Sequence, residues 1–166
     1  MKILIVGSVA SGKSTLARKL SKDSNIRVYE IDSIVHDDVL NVKRSNLEQQ
    51  KIINEINKNK SWILEGTLRS NLYNLLDLAD IIIYVDTPVY KRKIRIFNRF
   101  IKQKLGIEKC NYKPNINMLK NMYKWTNEFE IKKDKLYDLI SKKSNKFIHL
   151  FDNKINYSEI RGKYEK

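Results

Sequence analysis

Several residue types that mark particular classes of protein are scarce in this chain. A single cysteine among 166 residues, Cys110, excludes an internal disulfide, and no Cys/His cluster has metal-ligand spacing. No apolar run approaches the ~20 residues that cross a bilayer, and the start of the sequence predicts a strand instead of a signal segment. The chain also lacks a linker, an internal repeat and a low-complexity stretch. We therefore expect one cytoplasmic domain over residues 1–166, with no membrane partner.

Acidic residues are few relative to basic ones. The chain has 33 Lys and Arg residues against 19 Asp and Glu, which gives a net charge of +14 and favours anionic partners. The phosphate-handling site predicted below uses six of the cations and leaves an excess of +8. These six are Lys13, Arg44, Arg69, Arg92, Arg95 and Arg99. Nucleic acid stays open as a partner, but basic residues alone do not favour it.

Residues 7–15 carry the most informative pattern. They fit G-x-x-x-x-G-K-[ST], in which the glycines let backbone N–H groups approach phosphate oxygens. The lysine reaches the β- and γ-phosphates, and the hydroxyl that follows it is placed to bind Mg²⁺. An apolar strand precedes the motif and a helical pattern follows it, which counts against an incidental glycine turn. The predicted nucleotide-binding residues are Gly7, Ser8, Val9, Ala10, Ser11, Gly12, Lys13, Ser14 and Thr15.

Predicted strands and helices alternate along the chain. The strands cover 2–6, 26–31, 61–64, 79–85 and 146–151, and the helices cover 15–21, 37–59, 71–78, 89–105, 106–143 with a break near Pro114, and 157–164. This order predicts a parallel sheet covered by helices on both faces. Ligands of such sheets bind beyond the carboxyl ends of the strands. The rule brings residues 7–14, Asp32, residues 65–69 and Asp86 to one edge.

Two carboxylates compete for the metal-side role at this edge. Glu65 ends the third predicted strand and is followed by Gly66 and then by Arg69, whose guanidinium is suited to bind a second anion. Asp86 ends a longer apolar strand, a pattern also found near phosphate-binding loops. We predict Ser14 and Glu65 on the metal side, with Asp86 as the competing candidate. A polar turn after a strand is the alternative interpretation of residues 65–69.

Three arginines share one face of the helix predicted over 89–105. Arg92, Arg95 and Arg99 are spaced i, i+3 and i+7, so their guanidinium groups project from one side. Arginines that converge on a transferring phosphoryl group stabilise its charge. The alternative interpretation is that the three arginines form a solvated basic face. We favour it less because a phosphate-binding loop is predicted nearby.

Together these segments resemble the adenylate kinase-like P-loop kinases. The resemblance rests on the loop motif, Glu65-Gly-x-x-Arg69, Val85-Asp-Thr-Pro88 and Arg95-Ile-Phe-Asn-Arg99. It implies a P-loop NTPase fold of the α/β class: a three-layer α/β/α sandwich with a five-stranded parallel sheet and a lid-like segment at about 100–143. Tyr29-Glu-Ile-Asp32, Trp62–Gly66 and Asn111–Pro114 are similar to the bacterial group known as DNA topology modulation proteins, which are related to adenylate kinases.

The resemblance also implies roles for individual residues. Lys13, Arg95 and Arg99 are predicted to carry transition-state charge. Asp32 is predicted to orient or deprotonate an acceptor hydroxyl, and a polar strand end is its alternative. The predicted acceptor-binding residues are Asp32, Arg44, Arg69 and Arg92.

The sequence departs from adenylate kinases in two places. Glu65 replaces an aspartate and Thr67-Leu68 replaces Phe-Pro, so the acceptor need not be AMP. No β-rich lid follows Arg99, and the segment 100–143 is predicted to be helical. Its aromatic residues Trp125 and Phe129 are predicted to lie in the core, with base stacking as the alternative. His36 is predicted on the surface, with the acceptor site as the alternative.

The predicted function is transfer of the γ-phosphoryl group of ATP, with Mg²⁺, to an unidentified small acceptor. A nucleotide or nucleoside is the leading acceptor class. The alternative is a nucleotide-gated DNA-binding or topology-modulating protein with little kinase activity. A GTPase is not expected. The segment Asn153-Lys-Ile-Asn156 lacks the aspartate of the Asn-Lys-x-Asp pattern that recognises guanine.

Overall fold

A parallel sheet of five strands forms the centre of the molecule. The computed structural model describes residues 1–37, 40, 42–108, 114–143, 146–152 and 154–164. Its strands are β1 (Lys2–Gly7), β2 (Val28–Glu30), β3 (His36–Asp37), β4 (Val42–Lys43), β5 (Trp62–Gly66), β6 (Ile81–Val85) and β7 (Phe147–Leu150). The sheet has the order β2-β5-β1-β6-β7, and each neighbouring pair is parallel. Strands β3 and β4 form a separate antiparallel ribbon.

Helices occupy the connections between the strands. They are α1 (Lys13–Ser24), α2 (Ile31–Val35), α3 (Asn46–Asn57), α4 (Leu75–Leu78), α5 (Val89–Lys104), α6 (Ile116–Ser141) and α7 (Tyr157–Tyr164), with a 3₁₀ turn at Ser70–Leu72. No helix among the described residues is both long and apolar enough to cross a membrane.

The sheet separates two hydrophobic clusters. Because successive side chains of a strand point to opposite faces, Leu4 and Val6 of β1 enter one cluster, and Ile3 and Ile5 enter the other. The first cluster is covered by α2, α3 and α6, and the second by α1 and α7. This arrangement confirms the predicted three-layer α/β/α sandwich with a five-stranded parallel sheet.

The predicted helix over 37–59 is wrong in its first part. A ribbon of two short strands occupies this region, and α3 begins only at Asn46. The Ser45 hydroxyl accepts a hydrogen bond from the Glu48 backbone, and the Glu48 carboxylate accepts one from the Ser45 backbone. This capping box satisfies N–H groups that lack helical partners, so it sets the start of the helix.

The second strand is shorter than predicted. β2 ends at Glu30, and the next five residues form the helix α2. Asp32 therefore lies in the first turn of a helix that leaves the sheet edge, and not at the end of a strand.

The predicted lid-like segment contains one long helix. α6 runs for 26 residues from Ile116 to Ser141, and its N-cap Asn115 accepts a hydrogen bond from the Met118 N–H at 2.8 Å. The predicted break near Pro114 precedes this cap. Leu136 and Ile140 anchor the C-terminal half of α6 in the first cluster. Cys110 and residues 111–113 of the quoted Asn111–Pro114 motif lie outside the described residues, as does Asn153.

Candidate active site

The phosphate-binding loop joins β1 to α1 at the carboxyl edge of the sheet. A Cβ atom at Gly7 would lie 2.5 Å from the carbonyl oxygen of Val85, so only glycine lets the loop pass this close to β6. Gly12 has φ 101°, in the left-handed region that favours glycine, and it directly precedes α1. The first N–H groups of a helix have no helical acceptors and form an anion-binding end. Thr15 is exposed in the first turn of α1.

Lys13 is almost fully buried beside this loop. Its Nζ donates a hydrogen bond to the Ser8 carbonyl at 2.8 Å. Burial lowers the pKa of Lys13, while the negative charges of Glu65 and Asp32 act in the opposite direction. The ammonium group therefore lies where an added anion would be strongly attracted, because little water competes for it.

Ser14 and Glu65 meet across the strand ends. The Ser14 hydroxyl donates to Glu65 Oε1 at 2.6 Å, and Glu65 is 5% exposed. Burial raises the pKa of Glu65, and the Ser14 hydrogen bond and the Lys13 charge lower it in part. A hydroxyl and a carboxylate are the oxygen donors that Mg²⁺ uses together with substrate phosphates, so these residues fit that ion. Among the described residues there is no group of three or more His, Cys, Asp or Glu side chains able to hold a metal.

Asp86 has different surroundings. Its carboxylate lies 3.5 Å from His149 Nε2 and 4.0 Å from Lys133 Nζ, between β7 and α6. The structure thus brings Ser14 together with Glu65, whereas Asp86 has His149 and Lys133 as its neighbours.

The three arginines of α5 have separate environments. Arg95 donates to the carbonyl oxygens of Ala10 at 3.2 Å and Ser11 at 3.0 Å, so its guanidinium lies against the phosphate-binding loop. Arg99 is about half exposed and pairs with Glu108 at 3.0 Å. It lies near enough for its charge to lower the pKa of Lys13.

Arg92 differs from the prediction of an acceptor contact. It is 1% exposed, donates to the Thr87 carbonyl at 2.8 Å and pairs with Glu130 of α6. Thr87 in turn donates to the Ser11 carbonyl at 2.7 Å. A guanidinium with these partners links α6 to the phosphate-binding loop, and we correct its role to a structural one.

A cavity of about 810 Å³ adjoins the loop at Ser8 and Val9. Asp32 and Arg69 line it and form an ion pair at 3.1 Å, so two of the predicted acceptor residues lie together. His36 also lines the cavity while remaining exposed, which combines both interpretations of this residue.

Arg44 does not line the cavity. Its Nη1 donates to the carbonyl oxygens of Ser33 and His36, each at 2.6 Å, and its Nη2 pairs with Asp37 at 2.9 Å. These bonds hold the ribbon against α2. The predicted acceptor contact of Arg44 is therefore replaced by a structural role.

One face of α6 forms a cavity wall that sequence reasoning missed. It contains Trp125, Glu128, Phe129, Lys132, Lys135 and Leu136. Phe129 packs against the first cluster as predicted, but Trp125 is 44% exposed, so its prediction as a core residue is wrong. The helical spacing of these positions was visible in the sequence, whereas the surface they face was not.

The sequence matches no protein-family model. Among curated proteins, the shikimate kinase of Baumannia cicadellinicola is 25% identical over 107 residues, which are 56% of this chain and 62% of that protein. Shikimate kinase 1 of Enterobacter sp. (strain 638) matches to the same extent. The chain thus spans less than two thirds of the length of these relatives.

Two solved structures share the fold over nearly the whole chain. Deoxyadenosine kinase from M. mycoides with bound dATP has a TM-score of 0.53 and 18% identity, with all of both chains covered. Shikimate kinase from Acinetobacter baumannii in complex with shikimate has a TM-score of 0.60 and 15% identity, with 98% of this chain and 89% of that chain covered. The chain therefore has a P-loop kinase-like α/β/α fold.

Proposed function

We propose that the chain is an ATP-dependent phosphotransferase that moves the γ-phosphoryl group of ATP to a small acceptor, with a nucleotide or nucleoside as the leading class. The observation that carries this proposal is the meeting of the phosphate-binding loop with the 810 Å³ cavity at Ser8 and Val9. A donor site and an acceptor-sized cavity that share one boundary are what direct transfer requires. The similarity to shikimate and deoxyadenosine kinases supports the same reaction class. A location in the cytoplasm is part of this proposal.

On the donor side, the backbone N–H groups of residues 7–15 bind the β- and γ-phosphates. Lys13 adds a full positive charge, and Arg95 and Arg99 add two more near the transferring phosphoryl group. These cations stabilise the charge that the equatorial phosphoryl oxygens share in the transition state.

We assign Ser14 and Glu65 to hold Mg²⁺, with Asp86 as the less favoured carboxylate. When bound, Mg²⁺ neutralises charge on the β- and γ-phosphates. The 2.6 Å contact between Ser14 and Glu65 supports this assignment, and the contacts of Asp86 with His149 and Lys133 count against Asp86.

On the acceptor side, Asp32 orients the hydroxyl group and accepts its proton. The acceptor oxygen forms a bond to the γ-phosphorus while the bond from that phosphorus to the bridging oxygen breaks, and ADP leaves with the electron pair. Arg69, which is paired with Asp32 at 3.1 Å, binds an anionic group of the acceptor.

The test is ADP release from MgATP against nucleosides, nucleoside monophosphates and small hydroxylated acceptors. We expect one acceptor to stimulate release strongly, and Lys13→Ala to lower that rate ~10²–10³-fold. Lys22→Ala, an exposed lysine on the same helix, is the matched control and keeps full activity. A flat panel with tight ATP binding would overturn the proposal.

DNA binding is the second candidate, and the charge of the chain is the observation for it. α5 carries seven lysine and arginine residues and no acidic one. Affinity for duplex DNA that falls steeply with added salt, in a chain that turns over slowly, would support this candidate.

A further inference from the structure

The α6 wall of the cavity has no role in the phosphotransferase scheme given above. Its members, Trp125, Glu128, Phe129, Lys132, Lys135 and Leu136, recur at three- and four-residue spacing. They form one face of the helix and line the same cavity as Asp32 and Arg69. An acceptor that fills the cavity would therefore contact both sets of residues.

The charges on this wall are unevenly compensated. Arg69 is paired with Asp32 at 3.1 Å, and Glu128 lies 3.8 Å from Lys124. Among the described residues, neither Lys132 nor Lys135 has a hydrogen-bond or ion-pair partner. The two positions are only about 4.5 Å apart along the helix axis. Two uncompensated ammonium groups at this separation attract an anion.

An aromatic side chain lies farther along the same wall. Trp125 is 44% exposed, whereas Trp62, the other tryptophan, is fully buried. Seven residues separate Trp125 from Lys132, which is about 10 Å along the helix. A half-exposed indole in a cavity offers a flat face on which a planar ring can stack.

We propose that the α6 wall selects an acceptor that carries both a ring and an anionic group, the ring on Trp125 and the anion at Lys132 and Lys135, whose charge adds to that of Arg69 on the same cavity. The inference rests on the proposed function, because it takes this cavity to be the acceptor site. The anion is a phosphate or a carboxylate, which share the chemistry that a pair of lysines recognises. An uncharged acceptor would leave both ammonium groups without a partner and would bind more weakly.

The test is equilibrium binding to the full chain, with a non-hydrolysable ATP analogue and Mg²⁺ filling the donor site. The probes are two matched pairs: adenosine against AMP, and shikimate against its methyl ester. Tryptophan fluorescence reports ring stacking, because only Trp125 is exposed, and calorimetry reports the affinity. We expect the anion of at least one pair to bind about tenfold more tightly than its neutral partner and to quench Trp125. The pair that shows this preference identifies the anion as a phosphate or a carboxylate.

Variants test whether the α6 wall causes the preference for the anion. Lys132→Gln and Lys135→Gln each reduce the preference for the anion about threefold, and together they abolish most of it, while the affinity for the neutral compound is unchanged. Lys120→Gln, an exposed lysine near the start of α6, changes neither affinity. Trp125→Phe removes the fluorescence response while calorimetry still detects binding. All of these side chains are exposed, so the fold is kept, and thermal unfolding checks this.

Equal affinity within both pairs, or a preference for the anion that neither lysine variant reduces, would overturn the inference. Its failure is separable from failure of the proposed function. Lysine-dependent anion binding without Lys13-dependent ADP release refutes phosphoryl transfer and leaves the site intact. Efficient transfer to a neutral acceptor refutes the inference and leaves the phosphotransferase.

Discussion

At the scale of single residues, burial shapes the chemistry of Lys13 and Glu65. Loss of hydration lowers the pKa of Lys13 and raises the pKa of Glu65, so each charged form is disfavoured by its surroundings. Their mutual attraction offsets only part of this effect. A polyphosphate beside Lys13 and a cation beside Glu65 would supply the missing opposite charges, which fits a site organised around MgATP.

The proposed Mg²⁺ site at Glu65 predicts binding that depends on pH. The pKa of Glu65 lies above the ordinary value of 4.5, and only the ionised carboxylate holds a cation. Mg²⁺ affinity in the presence of ATP should therefore weaken as the pH falls toward this raised pKa, and the loss should begin at a higher pH than for an ordinary glutamate. Titrating Mg²⁺ at each pH measures this. Glu65→Gln, which cannot ionise, records the protonation of ATP alone, and identical profiles for the two proteins would contradict the prediction.

In the proposed mechanism, Arg99 leaves Glu108 to reach the transferring phosphoryl group. The pair is half exposed, so breaking it costs only about 0.2–1 kcal/mol. Glu108→Gln should raise kcat/KM for ATP about two- to fivefold, whereas Arg99→Ala lowers turnover by ~10³-fold. Steady-state kinetics of both variants and of the double variant form the check. A gain from Glu108→Gln that persists without Arg99 would contradict the mechanism.

At the scale of elements, the Arg92–Glu130 pair joins α5 to α6. Arg92 is 1% exposed, so Glu130→Ala leaves a guanidinium that water cannot reach. We expect the free energy of unfolding to fall by about 3–5 kcal/mol, and Arg92→Leu with Glu130→Leu to recover much of it. Denaturant unfolding measures both.

The matched control for this pair is Glu128→Ala, two residues earlier in α6. Glu128 is 46% exposed and 3.8 Å from Lys124, so its loss should cost no more than about 1 kcal/mol. An equally small effect of Glu130→Ala would mean that Arg92 is not held by this pair. The predicted acceptor contact of Arg92 would then be tested by the KM of the acceptor.

At the scale of the whole molecule, nucleotide binding should be visible as added stability. A ligand at a hundred times its Kd raises the free energy of unfolding by about 2.7 kcal/mol. For a domain of this size the expected rise in Tm is about 5–10 °C. Thermal unfolding with and without MgATP tests this. Lys13→Ala should lose most of the rise, and an undiminished rise would place the nucleotide elsewhere.

The strand and helix pattern was largely predictable because its signals are local. Each central strand is a short run of apolar residues. Such a run predicts a strand that is buried on both faces, and both faces of the sheet are buried in the structure. The errors lie where a cap or a short helix overrides the pattern: Ser45 and Glu48 start α3 late, and α2 ends β2 early. The capping box of α3 involves only two residues, and α2 is only five residues long, so neither leaves a periodic signal.

The sequence by itself determined the phosphate-binding loop, since the motif, its strand and its helix are contiguous. It also placed Glu65 near Ser14, because parallel strands bring their carboxyl ends to one edge. Only the tertiary structure decided which face of α6 meets the cavity, and that Arg92 and Arg44 are held by structural partners. Those contacts depend on how helices pack, and packing is settled by many long-range contacts together, which no single segment of the sequence contains.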